Sequence, residues 1–169
     1  MSLFRYLSIL PFLALAACGF TPIYGTTGSK NILLNSVLVQ EPTNRNNYLL
    51  TKQIEKRLGQ ATDPRFNLGV TITTSETPVS VDSTGNINRY NVLGILEYTL
   101  RDTQTGQITA SGRLNSFTGY SASSATDRNR VQVATVSTQA AKEDAQKRLM
   151  IILADLLIGD LIATSDLPS

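Results

Sequence analysis

The stretch FNLGVTIT, residues 66–73, carries the clearest strand pattern in the chain. Its apolar residues Phe66, Leu68, Val70 and Ile72 alternate with small or polar ones. Because successive side chains of a strand point to opposite faces of a sheet, this alternation predicts one buried face and one solvated face. A strand with one apolar face needs a second layer to cover that face, so the chain must also supply a covering element.

Two more strands are predicted after this one. The segment 90–100 is apolar at alternate positions, and Leu93 and Ile95 make its second face apolar as well. Such a pattern predicts a central strand or a strand covered by a partner. The loop DTQTG at 102–106 predicts a hairpin turn because its glycine can adopt a positive φ, and a further strand follows at 108–114.

The hairpin at 76–89 changes the side-chain phase. Its apolar residues occupy odd positions, whereas the strands on both sides use even ones. A β-bulge or twist is therefore predicted near Pro78 and again near Arg89. The odd-numbered apolar side chains either contact a partner protein or pack against one another. They are Val79, Val81 and Ile87.

Two helices and one further strand complete the predicted fold. The apolar segment 31–40 predicts a strand, and the four-residue apolar spacing within 44–60 predicts a helix that Asn44 caps. A second amphipathic helix is predicted to begin between residues 131 and 138, after a long connection at 119–135, and to end near Ala163.

The predicted order is strand, helix, three strands, helix. Two helices can cover one face of a four-stranded sheet, which predicts an α+β two-layer sandwich. The first strand–helix–strand unit can be parallel and the last three strands antiparallel, so the sheet is predicted to be mixed. We assign a single domain to residues 31–164 and a short C-terminal tail to residues 165–169.

The composition excludes several classes of function. Among 169 residues, 15 Lys and Arg oppose 13 Asp and Glu, a net charge of +2 that is too small for nucleic-acid binding by bulk charge. With no His and one Cys, the chain cannot form a Ser-His-Asp triad, a His metal site or an internal disulfide. No G-x-S-x-G motif occurs. We therefore predict no catalytic residues, no cofactor and no metal.

Residues 1–17 predict a cleaved lipoprotein signal peptide. The apolar run 6–17 is too short to span a membrane as a helix but suits a secretory signal. It ends in LAAC at 15–18, and small residues directly before a Cys are typical of lipoproteins. We predict cleavage before Cys18, a diacylglyceryl thioether on its thiol and a further acyl chain, such as palmitate, on the new amine. The alternative is an ordinary signal peptide with a chance Cys.

Residues 18–30 predict a lipidated tether rich in glycine and hydroxyl side chains. Several acyl chains on Cys18 would anchor the protein firmly, where a single chain would be marginal. The next residue is Gly19, whereas an Asp at this position commonly retains lipoproteins in the inner membrane. We therefore expect the outer membrane, with the domain facing the periplasm.

The predicted mature start, CGFTPIYG at 18–25, resembles that of the LptE family of lipopolysaccharide-assembly lipoproteins. The element order over residues 31–163 is similar as well. The resemblance implies a non-enzymatic protein that sits as a plug in the lumen of the outer-membrane β-barrel LptD. It also implies that the protein assists assembly of that barrel and delivery of lipopolysaccharide to the cell surface, and that it contacts lipopolysaccharide partly through basic residues.

Four arginines are candidates for that lipopolysaccharide contact, since guanidinium groups suit phosphates and acidic sugars. Arg89 at the base of the hairpin comes first and Arg113 on a strand second. Arg128 and Arg130 in the long connection come third. Each can alternatively be an ordinary solvated residue. The three hairpin side chains named above are the candidates for contact with the barrel.

Two other functions stay open from the sequence. The chain could be an auxiliary lipoprotein of another periplasmic lipid transporter or outer-membrane complex, which would not require LptD. A cell-wall hydrolase would require activity against peptidoglycan, and the scattered carboxylates offer no acid–base pair for it.

Replacing Cys18 by Ser tests the anchor. Without the thiol no thioether forms, so the variant should persist as an uncleaved precursor that incorporates no labelled palmitate. Gel mobility, labelling and membrane fractionation measure this outcome. Thr21→Ser, three residues further along, should be processed like the wild type. Normal processing and outer-membrane fractionation of Cys18→Ser would contradict the prediction.

Overall fold

The computed structural model describes residues 32–81, 83, 85–122 and 128–164. The predicted signal peptide, tether, lipidated Cys18 and C-terminal tail lie outside the described residues. The element order confirms the α+β prediction of a strand, a helix, three strands and a helix. The elements are β1 (Val37–Val39), α1 (Arg45–Leu58), β2 (Phe66–Val81), β3 (Ile87–Asp102), β4 (Ile108–Ser121) and α2 (Arg128–Thr164).

The strands form one four-stranded sheet in the order β1-β2-β3-β4. β1 pairs parallel with β2, whereas β2–β3 and β3–β4 pair antiparallel, which confirms a mixed sheet. Leu68, Leu100 and Ala110 stand opposite one another across the last three strands, and all three are buried. The alternation read from residues 66–73 therefore sets the buried face of the whole sheet.

The core lies between this face and the two helices. Leu96 and Leu100 of β3 are fully buried, as are Leu149 and Leu153 of α2. A Cβ on Gly94 would lie 2.9 Å from Leu149 Cδ2 and 3.0 Å from Leu153 Cδ1. Because Gly94 lacks that atom, α2 packs directly on the backbone of β3.

The ends of α1 follow the capping rules. The Asn44 side chain accepts a hydrogen bond of 2.9 Å from the Asn47 N–H, and Gly59 at φ +81° donates its N–H to the Glu55 carbonyl at 2.8 Å. Leu50, Ile54 and Leu58 are buried along one stripe. The predicted helix is thus confirmed to within about two residues.

The turn between β3 and β4 is the predicted one. Asp102 accepts hydrogen bonds from the backbone N–H groups of Gln104 at 2.8 Å and Thr105 at 3.0 Å. The bond from Thr105 is the main cause that holds the pKa of Asp102 below its usual value. Gly106 has φ +72°, a backbone conformation that its missing side chain makes possible.

The first strand is shorter than predicted. β1 covers only Val37–Val39, whereas residues 32–36 form a helical turn in which the Ser36 hydroxyl donates to the Ile32 carbonyl. The Asn35 N–H donates to the Leu58 carbonyl at 2.7 Å, and Leu33 is fully buried. Tertiary packing against the end of α1 therefore overrides the strand pattern in this segment.

The connection before α2 is shorter than the predicted range 119–135. β4 continues to Ser121, where Thr118 and Tyr120 are buried on the inner face. α2 begins at Arg128 rather than between 131 and 138, so Arg128 and Arg130 belong to its first turns and not to a loop. The first turns of this helix are polar and rich in alanine, so they lack the apolar periodicity from which a helix is predicted.

The hairpin at 76–89 is continuous with β2 and β3. The register of the β2–β3 pair shifts between Pro78 and Ser80 and again between Ser80 and Val81, which confirms the predicted irregularity near Pro78. On β3, Arg89 pairs with Ser80 and Ile87 pairs with Val81, so the shift next to Arg89 is confirmed too.

Among the described residues, neither helix combines the length and the apolar composition that crossing a membrane requires.

Leu153 and Leu156 of α2 form a matched pair for testing the core. Leu153 is fully buried and Leu156 is 41% exposed. Leu153→Ala should lower the free energy of unfolding by about 2–5 kcal/mol because it leaves a cavity over Gly94. Leu156→Ala should change it by less than about 0.5 kcal/mol. Urea unfolding of the chain from residue 19 onward measures both, and equal effects would contradict this orientation of α2.

Candidate anion-binding site

A polar cleft of about 410 Å³ lies where the end of β4 meets α2. β3 contributes Arg89, and β4 contributes Gly119 and Ser121. Asp144 and Arg148 come from one face of α2. The cleft thus brings together the first arginine predicted from the sequence and one that the sequence did not single out.

Arg89 reaches the cleft past a residue without a side chain. Its Nε lies 3.8 Å from the position that a Cβ on Gly119 would take, and the residue is exposed. No carboxylate of the described residues lies within ion-pair distance of Arg89. Its charge is therefore not neutralised by an acidic side chain of the described part of the chain.

Arg148 is held in place by two contacts. Its Nε donates to Asp144 Oδ2 at 3.0 Å, and its Nη2 donates to the Gly119 carbonyl at 3.1 Å. A guanidinium has five N–H donors, so these two bonds leave donors for a further acceptor. Asp144 and Arg148 are four residues apart on α2 and so can pair along the helix, but only the packing of α2 on β4 brings Arg148 to Gly119.

Tyr120 lines the cleft and belongs to a stacked pair of tyrosines. Tyr90 and Tyr120 stack with ring centroids 5.3 Å apart, and Tyr120 donates its hydroxyl to Glu76 Oε1 at 3.2 Å. Lys142 of α2 donates to the other oxygen of Glu76 at 2.9 Å. Burial, followed by the nearby charge of Glu76, raises the pKa of Tyr120 to about 12. The phenol therefore stays neutral at physiological pH and keeps donating to Glu76.

The cleft is suited to an anion. Two guanidinium groups and one carboxylate, Asp144, line it, which leaves a net positive charge. Guanidinium N–H groups pair well with phosphate or carboxylate oxygens. Because Arg89 and Arg148 are exposed, binding here must weaken as salt rises. The described residues contain no cluster of three or more potential metal ligands.

The other predicted arginines lie elsewhere. Arg113 projects from the middle of β4, where its Nη1 lies 3.5 Å from Glu97 Oε1. The backbone of Arg128 and Arg130 is helical in α2, whereas their side chains lie outside the description. Of the candidate arginines whose side chains are described, Arg89 lines a cleft with a second arginine, Arg148, and Arg113 lies beside Glu97.

The hairpin side chains are exposed. Val79, Val81 and Ile87 keep 54%, 58% and 37% of their surface accessible, and Val81 stands directly opposite Ile87 in the ladder. They lie at or beyond the register shifts between Pro78 and Val81, at the hairpin end of the β2–β3 ladder. These apolar side chains are therefore accessible to another molecule.

The chain matches the family model of LptE, described as lipopolysaccharide-assembly, over residues 34–161. No protein with a curated description matches it. Among solved structures, a candidate lipoprotein from Caulobacter crescentus is similar with a TM-score of 0.61 and 21% identity, covering 80% of this chain and 93% of that one.

Two further lipoprotein structures share the fold. Rare lipoprotein B from Shewanella oneidensis has a TM-score of 0.56 and 15% identity, covering 76% of this chain and 93% of that one. A minor lipoprotein from Acinetobacter baumannii has a TM-score of 0.51 and 16% identity, with coverages of 79% and 95%.

Proposed function

The chain belongs to the LptE family of lipopolysaccharide-assembly lipoproteins, and on that basis we propose that it works in a complex with the β-barrel LptD in the outer membrane. The observation that carries the proposal is the family match, which extends over residues 34–161 and so includes the sheet and nearly all of both helices. The family is not one of enzymes. In the proposed complex the protein assists assembly of the barrel and passage of lipopolysaccharide to the cell surface.

The anchor and the orientation belong to the same proposal. Acylated Cys18 would hold the protein in the outer membrane, and the domain would face the periplasm and the barrel lumen. The exposed hairpin residues Val79, Val81 and Ile87 support a contact with the inner wall of the barrel, since apolar side chains gain free energy when a partner covers them.

Direct binding of lipopolysaccharide is supported by the cleft between β4 and α2. Arg89 and Arg148 offer guanidinium groups to a phosphate or an acidic sugar, and Tyr120 adds an aromatic wall. Arg113, Arg128 and Arg130 remain secondary candidates.

The complex is tested by depleting the protein and by co-purification. Depletion should reduce assembled LptD and surface lipopolysaccharide together, and the tagged protein should retain LptD from detergent-solubilised outer membrane. If assembled LptD and surface lipopolysaccharide both stay normal while another lipid pathway fails, the chain is an auxiliary lipoprotein of that pathway.

The double variant Val79→Asp, Val81→Asp should retain less LptD than the wild type. The control Val136→Asp, at a position on α2 that is 70% exposed, should retain as much as the wild type.

Charge reversal at Arg89 tests lipopolysaccharide binding. Arg89→Glu should weaken binding to purified lipopolysaccharide by about two- to fivefold at low salt, because one exposed contact is lost and a repulsive one gained. The difference should shrink at high salt. Arg101→Glu, at the other end of β3, is the matched control and should bind like the wild type. Equal affinity of all three proteins at both salt concentrations would make Arg89 a solvated residue only.

A further inference from the structure

The carboxylate of Glu76 on β2 joins three elements next to the cleft between β4 and α2. Its Oε1 accepts a hydrogen bond of 3.2 Å from the Tyr120 hydroxyl of β4, and its Oε2 accepts one of 2.9 Å from Lys142 Nζ of α2. In the register of the sheet, Glu76 stands opposite Val92 of β3, and Tyr120 stands opposite Tyr90 of the same strand. The carboxylate therefore bridges β3, and each of its oxygens accepts from a donor on a different element.

Three polar contacts hold this part of α2 on the sheet. Besides the bond from Lys142, the Ala145 carbonyl accepts a buried hydrogen bond of 2.9 Å from the Thr118 hydroxyl, and Arg148 Nη2 donates to the Gly119 carbonyl at 3.1 Å. Residues 142, 145 and 148 are three apart and so lie on one face of the helix. Because the first is tied to β2 and the other two to β4, the three contacts together fix how the helix lies across the strands.

Glu76 orders groups that form the cleft but is not part of its lining. Tyr120 lines the cleft, and so does Ala141, the residue before Lys142 on α2. The bond to Glu76 and the stacking on Tyr90 hold the Tyr120 ring in one orientation. Glu76 therefore acts on the cleft through the groups that it holds.

The charge of Glu76 by itself opposes the binding of an anion. An acidic group near an anion site repels the ligand, and this side chain is partly exposed. Lys142 pairs with Glu76 at 2.9 Å and offsets that repulsion. The contribution of Glu76 to the cleft is thus geometric, since it supplies two accepting oxygens for donors that come from β4 and α2.

We propose that Glu76 is the positioning residue of this cleft and holds Tyr120 and α2 in the arrangement that places Arg148 beside Arg89. The proposal rests on the proposed binding of lipopolysaccharide in the cleft and adds a residue that determines its affinity without touching the ligand. Two guanidinium groups bind one anion well only when both are held at matched positions. A shift of α2 relative to β4 therefore weakens binding even though every arginine is still present.

Two substitutions of Glu76 that leave the same charge test the proposal. Glu76→Gln and Glu76→Ala both remove the carboxylate, but the amide of Gln can accept from Lys142 and donate to the Tyr120 oxygen. In titrations of the full lipidated chain with purified lipopolysaccharide at one salt concentration, Glu76→Ala should bind about two- to fivefold more weakly than Glu76→Gln. Electrostatics alone gives both variants the same affinity, so equal affinity of the two overturns the proposal.

Glu143 is the matched control. It is the neighbour of Lys142 in the sequence and ties the same turn of α2 to α1, accepting from Arg45 Nη2 at 2.9 Å. Glu143→Ala and Glu143→Gln should bind lipopolysaccharide equally, because this tie does not involve the strands at the cleft. A difference between them as large as that at Glu76 would mean that any loosening of α2 weakens binding, and it overturns the specific role of Glu76.

Tyr120→Phe tests the same bond from its other end. It keeps the ring and its stacking on Tyr90 and removes only the hydroxyl that donates to Glu76. Binding should weaken about twofold in the wild-type background and no further in Glu76→Ala, where the bond is already absent. An equal loss in both backgrounds would mean that the hydroxyl meets the ligand directly, which overturns the proposal. If urea unfolding shows Glu76→Ala to be too unstable for titration, wild-type affinity of Tyr120→Phe overturns it.

The two proposals fail in different ways. If the wild-type chain binds no lipopolysaccharide, the proposed binding in the cleft is wrong and the role of Glu76 falls with it. If the wild type binds and Arg89→Glu weakens binding while Glu76→Ala and Glu76→Gln bind alike, the cleft stands and only the positioning role is wrong.

Discussion

The packing of α2 on Gly94 is the contact on which the rest of the structure depends. Leu149 and Leu153 occupy the space that a side chain on Gly94 would need, so the helix approaches the central strand of the sheet closely. A second close approach occurs at Gly112, where a Cβ would lie 2.8 Å from the Tyr98 ring. The Tyr98 hydroxyl in turn donates to Asp160 of α2. These contacts set the position of the long helix along the sheet.

That position determines what the end of the sheet near Arg89 and Gly119 can bind. With α2 fixed over β3, Lys142 reaches Glu76 and Arg148 reaches the Gly119 carbonyl. Glu76 also accepts from Tyr120, so β2, β4 and α2 are tied together by one carboxylate. The same docking places Arg148 beside Arg89, and a cleft lined by two cations results from contacts that also stabilise the fold.

The sheet presents two unlike edges. α2 packs near β4 and supplies a cation to it, whereas β1 ends after three residues, and beyond Leu68 no described strand pairs with the outer edge of β2. A long open edge exposes a protein to aggregation unless a partner covers it.

Local features of the sequence determined the class and order of the fold. The alternation at residues 66–73, the cap at Asn44 and the turn around Gly106 depend on neighbouring residues, and all three are found as predicted. The absence of His likewise decided, without a structure, which catalytic and metal sites were impossible. Resemblance at residues 18–25, with the element order, indicated the family that the match over residues 34–161 then confirmed.

Tertiary structure decided what depends on residues far apart in the chain. The segment 32–36 is apolar enough for a strand, but its contact with Leu58 at the end of α1 makes it a helical turn, and so β1 covers only Val37–Val39. Nothing in the local pattern places Arg148 beside Arg89, because their meeting depends on how α2 lies across the sheet. The periodicity of apolar residues indicates which face of an element is buried. How closely two elements pack is decided by positions that carry no side chain, such as Gly94.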